Sequence, residues 1–321
     1  MSLTWRKIAD EIVSGTAVSN FLDAIYTALT ATTYTNGDTR TAGSGRAWTV
    51  GSKITSAGTT EALQITSPAG KKLLIAGSAS AKTPKMYSTD TWLSSGLHIG
   101  MSPNGGTLTT WDATGSSDPL GSSAYFSGFA RFCAAISASG KVCVYEAVEG
   151  LCVMVKTSTS WYGFVAGSII DPGATGSLIS ETSGYCYGMF VAGSTAISTS
   201  MISSSTQVFC GVNGGSAGNA RGLYWLPRTS TIRSISRSTN SSASLSSANN
   251  LKLADDSYIL LPMPYKDTTS EYAVGYLRGF RIGPLGTANT TALKSGSTDY
   301  AYKIGGSDTG STECYYLLTG L

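Results

Sequence analysis

The chain has 321 residues, of which 41% are hydrophobic and only 13% are charged, and its formal net charge is +3. This balance excludes an intrinsically disordered chain, which combines low hydrophobicity with high net charge. It also argues against a specific nucleic-acid-binding protein, because the basic residues are spread along the chain instead of forming one patch. The 48 serines, 40 threonines and 38 glycines favour pleated strands joined by turns, so we predict an all-β fold.

The first 34 residues are predicted to form a short N-terminal helical arm. Thr4 is placed to cap a first helix, and after Gly15 a second helix is predicted with Ser19 as its cap. Both helices carry an apolar stripe that we interpret as an assembly arm. Its residues are Trp5, Ile8, Ile12, Phe21, Leu22, Ile25 and Leu29. The stripe lies either against the chain's own sheet or against a neighbouring subunit, and deletion of residues 1–30 is expected to block assembly without unfolding the β domain.

Residues 35–233 form the predicted main β domain. The turn sequences SPAG and SPNGG indicate hairpins within residues 61–78 and 96–113, and a β-meander is predicted over residues 125–157. Strand-length runs separated by Gly or Pro continue from SWYGFVAGSII onward. This pattern is typical of an antiparallel β-sandwich or a jelly-roll-like domain.

Three of the six cysteines lie in the predicted meander, at Cys133, Cys143 and Cys152. A two-residue turn at Glu149 and Gly150 would set Cys143 and Cys152 roughly 13 Å apart or more, too far for a disulfide. No cysteine belongs to a C-x-x-C motif, so the usual zinc spacing is missing. We interpret most of the cysteines as small buried apolar side chains. The sequence does not exclude one or two disulfides between cysteines far apart in the chain.

The last part of the chain is predicted to extend the β structure. Residues 234–250 are rich in Ser and Asn and are predicted to form an exposed loop. Residues 251–321 are predicted to form hairpins packed on the main domain, ending in a docked apolar strand. No run approaches ~18 apolar residues, so no membrane span is predicted. The start lacks the features of a signal peptide, and synthesis in the cytoplasm is expected.

Signals of catalysis are weak. His98 is the single histidine, and residues 214–218 (GGSAG) match the G-x-S-x-G pattern of serine hydrolases. With 38 Gly and 48 Ser, however, chance alone gives about 0.7 such matches, and the residues after the serine do not predict a helix. Acids that could pair for glycoside cleavage exist, but nothing selects a pair among Glu146, Glu149, Asp171 and Asp255. We predict no catalytic residues, no cofactor and no metal.

Aromatic clusters are the remaining candidates for contact with a partner. They comprise Trp161, Tyr162, Tyr185, Tyr187, Tyr224 and Trp225. Such rings could stack against the sugars of a cell-surface glycan. We favour the interpretation that they are core residues with aromatic tips at subunit contacts.

Several segments together resemble the virion structural proteins of tailed bacteriophages. They are FLDAIYTALTATTYTNGDTRTAGSGRAWT, GTTEALQI, KKLLIAGS, LHIGMSPNGG and YFSGFARF. The resemblance implies a non-enzymatic component of the virion, such as a capsid decoration, vertex or tail-associated protein, which assembles with itself and with other virion proteins. A receptor- or glycan-binding module of a tail fibre or baseplate is the alternative. A polysaccharide depolymerase is a third hypothesis.

Overall fold

The structure is a computed structural model in which eighteen strands and one helix are described. The described residues are 5–41, 47–55, 60–68, 72–78, 96–102, 129–133, 136, 139–148, 150–157, 160–170, 187–192, 221–225, 232–237, 261–267, 273–283, 292–295, 298–304 and 314–319. The elements are β1 (Arg6–Val13), α1 (Val18–Thr30), β2 (Thr49–Val50), β3 (Ile54–Thr55), β4 (Thr60–Thr66), β5 (Lys72–Ser78), β6 (Gly96–Ser102), β7 (Phe129–Cys133), β8 (Gly140–Ala147), β9 (Gly150–Thr157), β10 (Ser160–Ile170), β11 (Tyr187–Ala192), β12 (Arg221–Trp225), β13 (Ile232–Arg237), β14 (Leu261–Asp267), β15 (Ala273–Gly283), β16 (Ala292–Ser295), β17 (Thr298–Ile304) and β18 (Cys314–Leu318).

The strands form two antiparallel sheets, which confirms the predicted all-β class. The larger has 12 strands in the order β1-β8-β9-β10-β11-β12-β13-β14-β15-β18-β17-β16, and β10 also pairs with β15. The smaller has 6 strands in the order β2-β4-β5-β6-β7, with β3 paired to β4. The chain changes sheet between β7 and β8, so the predicted meander over residues 125–157 is wrong there. Only β8 and β9 form a hairpin in that segment.

One hydrophobic core joins the two sheets and the helix. Val144 of β8 and Val153 of β9 belong to the same buried cluster as Leu63 and Ile75 of the smaller sheet. Phe21 of α1 completes the cluster with no exposed surface. Full burial of one such side chain stabilises the fold by about 1.5–3 kcal/mol. The helix and both sheets therefore depend on one another for stability.

The predicted first helix is wrong, because Arg6–Val13 is strand β1, paired with β8. The register shifts between Lys7 and Ala9, which marks a β-bulge at Ile8. The bulge turns both Ile8 and Ala9 into the core, where each is 4% exposed. Ile12 lies on the other side of the sheet and is 85% exposed. A bulge changes the face that later residues present, so these two isoleucines do not form one stripe.

The predicted second helix is confirmed as α1. Its N-cap is Ala17 and not Ser19, and no side chain caps it. The helix ends at Thr30, whose hydroxyl donates back to the carbonyls of Tyr26 and Thr27 at 3.0 Å each. The predicted apolar face is buried in the core, at Phe21, Leu22, Ile25 and Leu29.

Six of the seven residues of the predicted assembly arm therefore pack inside this chain. The exception is Ile12. Trp5 is 2% exposed, and its ring lies beside Gly150 of β9. Of the two placements left open by the sequence, the structure gives the one against the chain's own sheets. An assembly role for these residues stays a prediction.

The hairpin of β8 and β9 has a different register from the predicted one. Ala147 pairs with Gly150, so Gly150 is a strand residue and not the predicted turn residue, and Tyr145 pairs with Cys152. Cys143 is then a diagonal neighbour of Cys152, about 7–8 Å away, and not the 13 Å predicted. Both are free buried thiols, which confirms that this pair forms no disulfide.

The C-terminal strands belong to the larger sheet. Leu317 of β18 is fully buried, and the Trp5 amide donates to the Leu318 carbonyl at 2.8 Å, so the predicted docking of the last apolar run is confirmed. Strand β13 extends into the predicted loop at 234–250, of which residues 238–250 lie outside the described part. The second arm of the predicted hairpin at 96–113 also lies outside it.

Candidate functional site

A buried ion pair connects the loop after α1 to β8, the second strand from one edge of the larger sheet. Arg40 and Glu146 are 106 positions apart, and their side chains are 1% and 0% exposed. The guanidinium binds the carboxylate through two bonds, Nε to Oε1 at 2.9 Å and Nη2 to Oε2 at 3.0 Å. This planar two-point geometry is the strongest form of an arginine–carboxylate contact.

Every polar atom of this pair has a partner. The remaining Arg40 donors reach the carbonyls of Leu29, Ala31 and Trp48, at 2.8, 2.9 and 2.6 Å. Glu146 also accepts from the Tyr34 hydroxyl at 2.8 Å and from the Trp48 amide at 3.1 Å. Arginine has five donors and a carboxylate about four acceptor positions. All nine are occupied.

Arg40 joins the end of α1 to the start of the smaller sheet. The carbonyls at the end of a helix have no partner within the helix, and Arg40 supplies donors to Leu29 and Ala31 at the end of α1. The same guanidinium fixes the start of the smaller sheet through Trp48. Glu146, one of the acids that the sequence offered for catalysis, has no oxygen left to exchange a proton with a substrate. We name this network the Arg40–Glu146 clasp.

A second group of polar side chains lies on the opposite face of β1 and β8. Asp10 forms ion pairs with Lys141 and with Lys7, the latter at 3.5 Å, and accepts a hydrogen bond from the Cys143 thiol at 3.2 Å. Two cations therefore neutralise one carboxylate that is about a third exposed. Surface pairs of this type contribute only about 0–1 kcal/mol each.

Two tyrosine rings continue this group toward β17. The ammonium of Lys7 lies 5.5 Å from the ring centre of Tyr145 and 4.8 Å from that of Tyr302. The two rings are 5.5 Å apart. The Tyr145 hydroxyl is buried without a hydrogen-bond partner, and burial, followed by the neighbouring Cys143, Cys152 and Tyr302, raises its pKa well above the usual value. Cation–π contacts thus join β1, β8 and β17.

Two buried thiols, those of Cys143 and Cys152, lie beside this group. Burial raises the pKa of Cys143 to about 11, although Lys141 and Lys7 act in the opposite direction. Burial, with a smaller effect of Cys143, also raises the pKa of Cys152. A raised thiol pKa favours the neutral form in the folded chain, so its contribution to stability is complete below the unfolded pKa. That contribution is lost as the pH rises toward the folded pKa.

We expect Cys143 and Cys152 to resist iodoacetamide at pH 8 in the folded protein. A pKa of about 11 makes the thiolate of Cys143 roughly a hundredfold rarer than at the ordinary pKa of 9.0. Cleavage after glutamate followed by mass spectrometry separates the two labelled peptides. Labelling of the urea-unfolded chain is the control, and equal labelling rates in both states would refute the assignment.

The predicted aromatic contacts fall on β10, β11 and β12. Trp161 is 5% exposed, with the Lys156 ammonium 5.4 Å from its ring centre, and Tyr162 packs partly buried against the main core. Tyr187 pairs with Trp225, and Tyr224, the residue before Trp225 on β12, pairs with Gly188. The strand pairing brings these positions onto neighbouring strands. Tyr185 lies outside the described residues.

The predicted hydrolase elements are only partly described. His98 lies on β6, in register with Ala76 and Arg131. Residues 214–218 lie outside the described part of the chain. Among the residues that are described, no three His, Cys, Asp or Glu side chains are grouped to hold a metal ion.

Comparison with known proteins assigns the chain to no family. No model of a protein family matches the chain, and no curated protein matches its sequence. Within the described segments, no helix combines the length and the apolar character needed to cross a membrane. The resemblance to phage virion proteins therefore depends on the sequence segments alone.

Proposed function

We propose that this chain is a non-enzymatic structural component of a phage particle, located in the virion and assembled with copies of itself and with a shell. The observation that carries the proposal is the Arg40–Glu146 clasp. Arg40 and Glu146 are the most deeply buried charged residues of the described region. All nine of their donor and acceptor positions form hydrogen bonds that hold strands, helix and loop together. Such an arrangement favours rigidity, which a building element requires.

The proposal also accounts for the composition. A chain with 13% charged residues presents large uncharged surfaces, which associate easily unless an assembly covers them. The two antiparallel sheets share one core. We propose that they form a β-sandwich, which would offer such surfaces on rigid elements. Capsid decoration, a minor capsid position and a tail-associated position all fit this description.

The location of the chain in intact particles tests the proposal. Purified phage particles are expected to contain the chain in a fixed copy number, measured by quantitative mass spectrometry. Antibody-gold labelling of unbroken particles is expected to place it at one repeated position. Detection of the chain only in the soluble fraction, with none in the particles, would refute a virion role.

The alternative, a glycan- or receptor-binding module, depends on exposed aromatic platforms. Of the rings predicted to stack, Trp161 is buried beneath Lys156, and Tyr162 is partly buried against the core. A glycan array separates the two functions, since a structural component is expected to bind none of the sugars. Specific binding there would favour the alternative.

A further inference from the structure

Strand β1 is one edge of the 12-stranded sheet, and its first half is covered. The Trp5 amide donates to the Leu318 carbonyl at 2.8 Å. The Lys7 carbonyl accepts from the amide of Thr35 at 3.0 Å and from its hydroxyl at 3.2 Å. The protein therefore protects this end of the edge with its own backbone.

The second half of the same edge is open. The Lys7 carbonyl points away from β8, toward Thr35. The bulge at Ile8 adds one residue, so beyond it the even-numbered residues, and not the odd-numbered ones, direct their backbone groups away from β8. Because strand residues alternate in direction, the backbone groups of Asp10 and Ile12 also point away from β8. Within the described residues no strand other than β8 pairs with β1.

Ile12 is unusual at such a position. Proteins normally protect open edges with charges, because unpaired strands recruit other strands. Here the most exposed large apolar side chain of the described residues, at 85%, lies on the open half. Its neighbour Asp10 is already neutralised by Lys141 and Lys7.

We propose that β1 of a second copy of this chain pairs antiparallel with this open edge, about a two-fold axis through Ile12. The inference specifies the self-assembly contact of the proposed function and rests on it. In this register Ile12 faces its own copy, Asp10 faces Ser14, and Glu11 faces Val13. Each isoleucine then covers the other.

Charge selects this register over its neighbours. A two-fold axis through Glu11 would set two glutamates directly opposite each other, and like charges in that position destabilise a sheet. An axis through Asp10 would set Ile12 opposite the bulge at Ile8. The axis through Ile12 avoids both and sets the two exposed isoleucines against each other, which favours a second copy as the occupant.

The covered half of β1 also limits the assembly. Thr35 blocks the edge at Lys7, and the Ser14 carbonyl is taken by the Asn20 amide at 2.8 Å. The pairing is thus confined to residues 10–14, without a bond from the Asp10 amide to the Ser14 carbonyl of the other copy, and it closes as a dimer. A contact this short is far smaller than the roughly 1,000 Å² of a stable interface, so it gains its strength from other contacts in an assembly.

Cross-linking tests the register directly. Paired Cα atoms in a hydrogen-bonded antiparallel pair are about 5.5 Å apart, within the disulfide range. Mild oxidation of Ile12→Cys is therefore expected to give a disulfide-linked dimer at least about tenfold more abundant than in wild type. The matched control is Tyr26→Cys on α1, at the second exposed large hydrophobic side chain of the described residues, which is 36% exposed.

Sedimentation analysis of Ile12→Lys provides the second measurement. Two opposed lysines are expected to weaken self-association at least tenfold relative to wild type, about 1.4 kcal/mol, whereas Tyr26→Lys has no effect. If Ile12→Cys cross-links no more than Tyr26→Cys, the inference is wrong. If the cross-link forms in solution but the chain is absent from particles, the proposed function fails and the dimer stands. If the chain is found in particles but Ile12→Cys forms no cross-link, the proposed function stands and the inferred dimer is wrong.

Discussion

Replacing Glu146 with leucine is expected to lower the free energy of unfolding by about 3–5 kcal/mol, because it leaves the guanidinium of Arg40 buried without its carboxylate. Arg40 is 1% exposed in the pair, so water cannot replace the lost oxygens. Tyr34 and Trp48 lose an acceptor as well. Urea unfolding followed by circular dichroism measures the change. Glu146→Gln, which retains one acceptor oxygen, is expected to cost less.

Two controls define this effect. Asp38→Asn removes the charge from the ion pair of Asp38 with Arg6, whose side chains are 51% and 35% exposed, and is expected to cost no more than about 1 kcal/mol. The double variant Arg40→Met with Glu146→Leu removes both charges. Its loss in the free energy of unfolding is expected to be smaller than the sum of the losses of the two single variants. A Glu146→Leu chain as stable as Asp38→Asn would show that the clasp contributes little.

The clasp could not be predicted from the sequence. Glu146 lies in the strand run KVCVYEAV, and its position alone suggested an acid on a strand. Its partner lies 106 residues earlier in a turn-rich segment that carries no periodic signal. A contact between such distant positions depends on how the two sheets and α1 meet, and local patterns contain no information on that.

The helix and strand assignments show where local patterns succeed. The spacing of Phe21, Leu22, Ile25 and Leu29 fits only a helix, and α1 buries all four. Ile8 and Ile12 are four positions apart, which fits one face of a helix but also one face of a strand. Local spacing offers no reason to prefer the strand, because β1 forms by pairing with the distant β8.

The shifted hairpin register has a different cause. Gly150 looks like a turn residue, since glycine relieves backbone strain in tight turns. In the structure it lies within β9, beside the indole of Trp5, and a side-chain carbon there would come within 2.7 Å of that ring. The glycine is required for close packing of β9 against Trp5 and is not a turn residue.

Deletion of residues 1–30 is expected to unfold the β domain, contrary to the separable arm that the sequence suggested. The deletion removes β1 from the edge of β8 and takes four fully buried side chains of α1 out of the core. At about 1.5–3 kcal/mol each, these side chains alone supply some 6–12 kcal/mol. Domains are stable by only about 5–15 kcal/mol in total. Loss of a cooperative thermal transition in the truncated chain is the expected observation.

A matched pair on the two faces of α1 separates packing from the mere presence of a helix. Phe21→Ala on the buried face is expected to cost about 3–5 kcal/mol, whereas Tyr26→Ala on the exposed face stays within about 0.5 kcal/mol. Both changes leave helix propensity high, so the difference reports the core alone.

A truncated chain that still melts cooperatively would mean that the sheets are stable without α1. Residues 1–30 would then be free to act as an arm that binds other subunits.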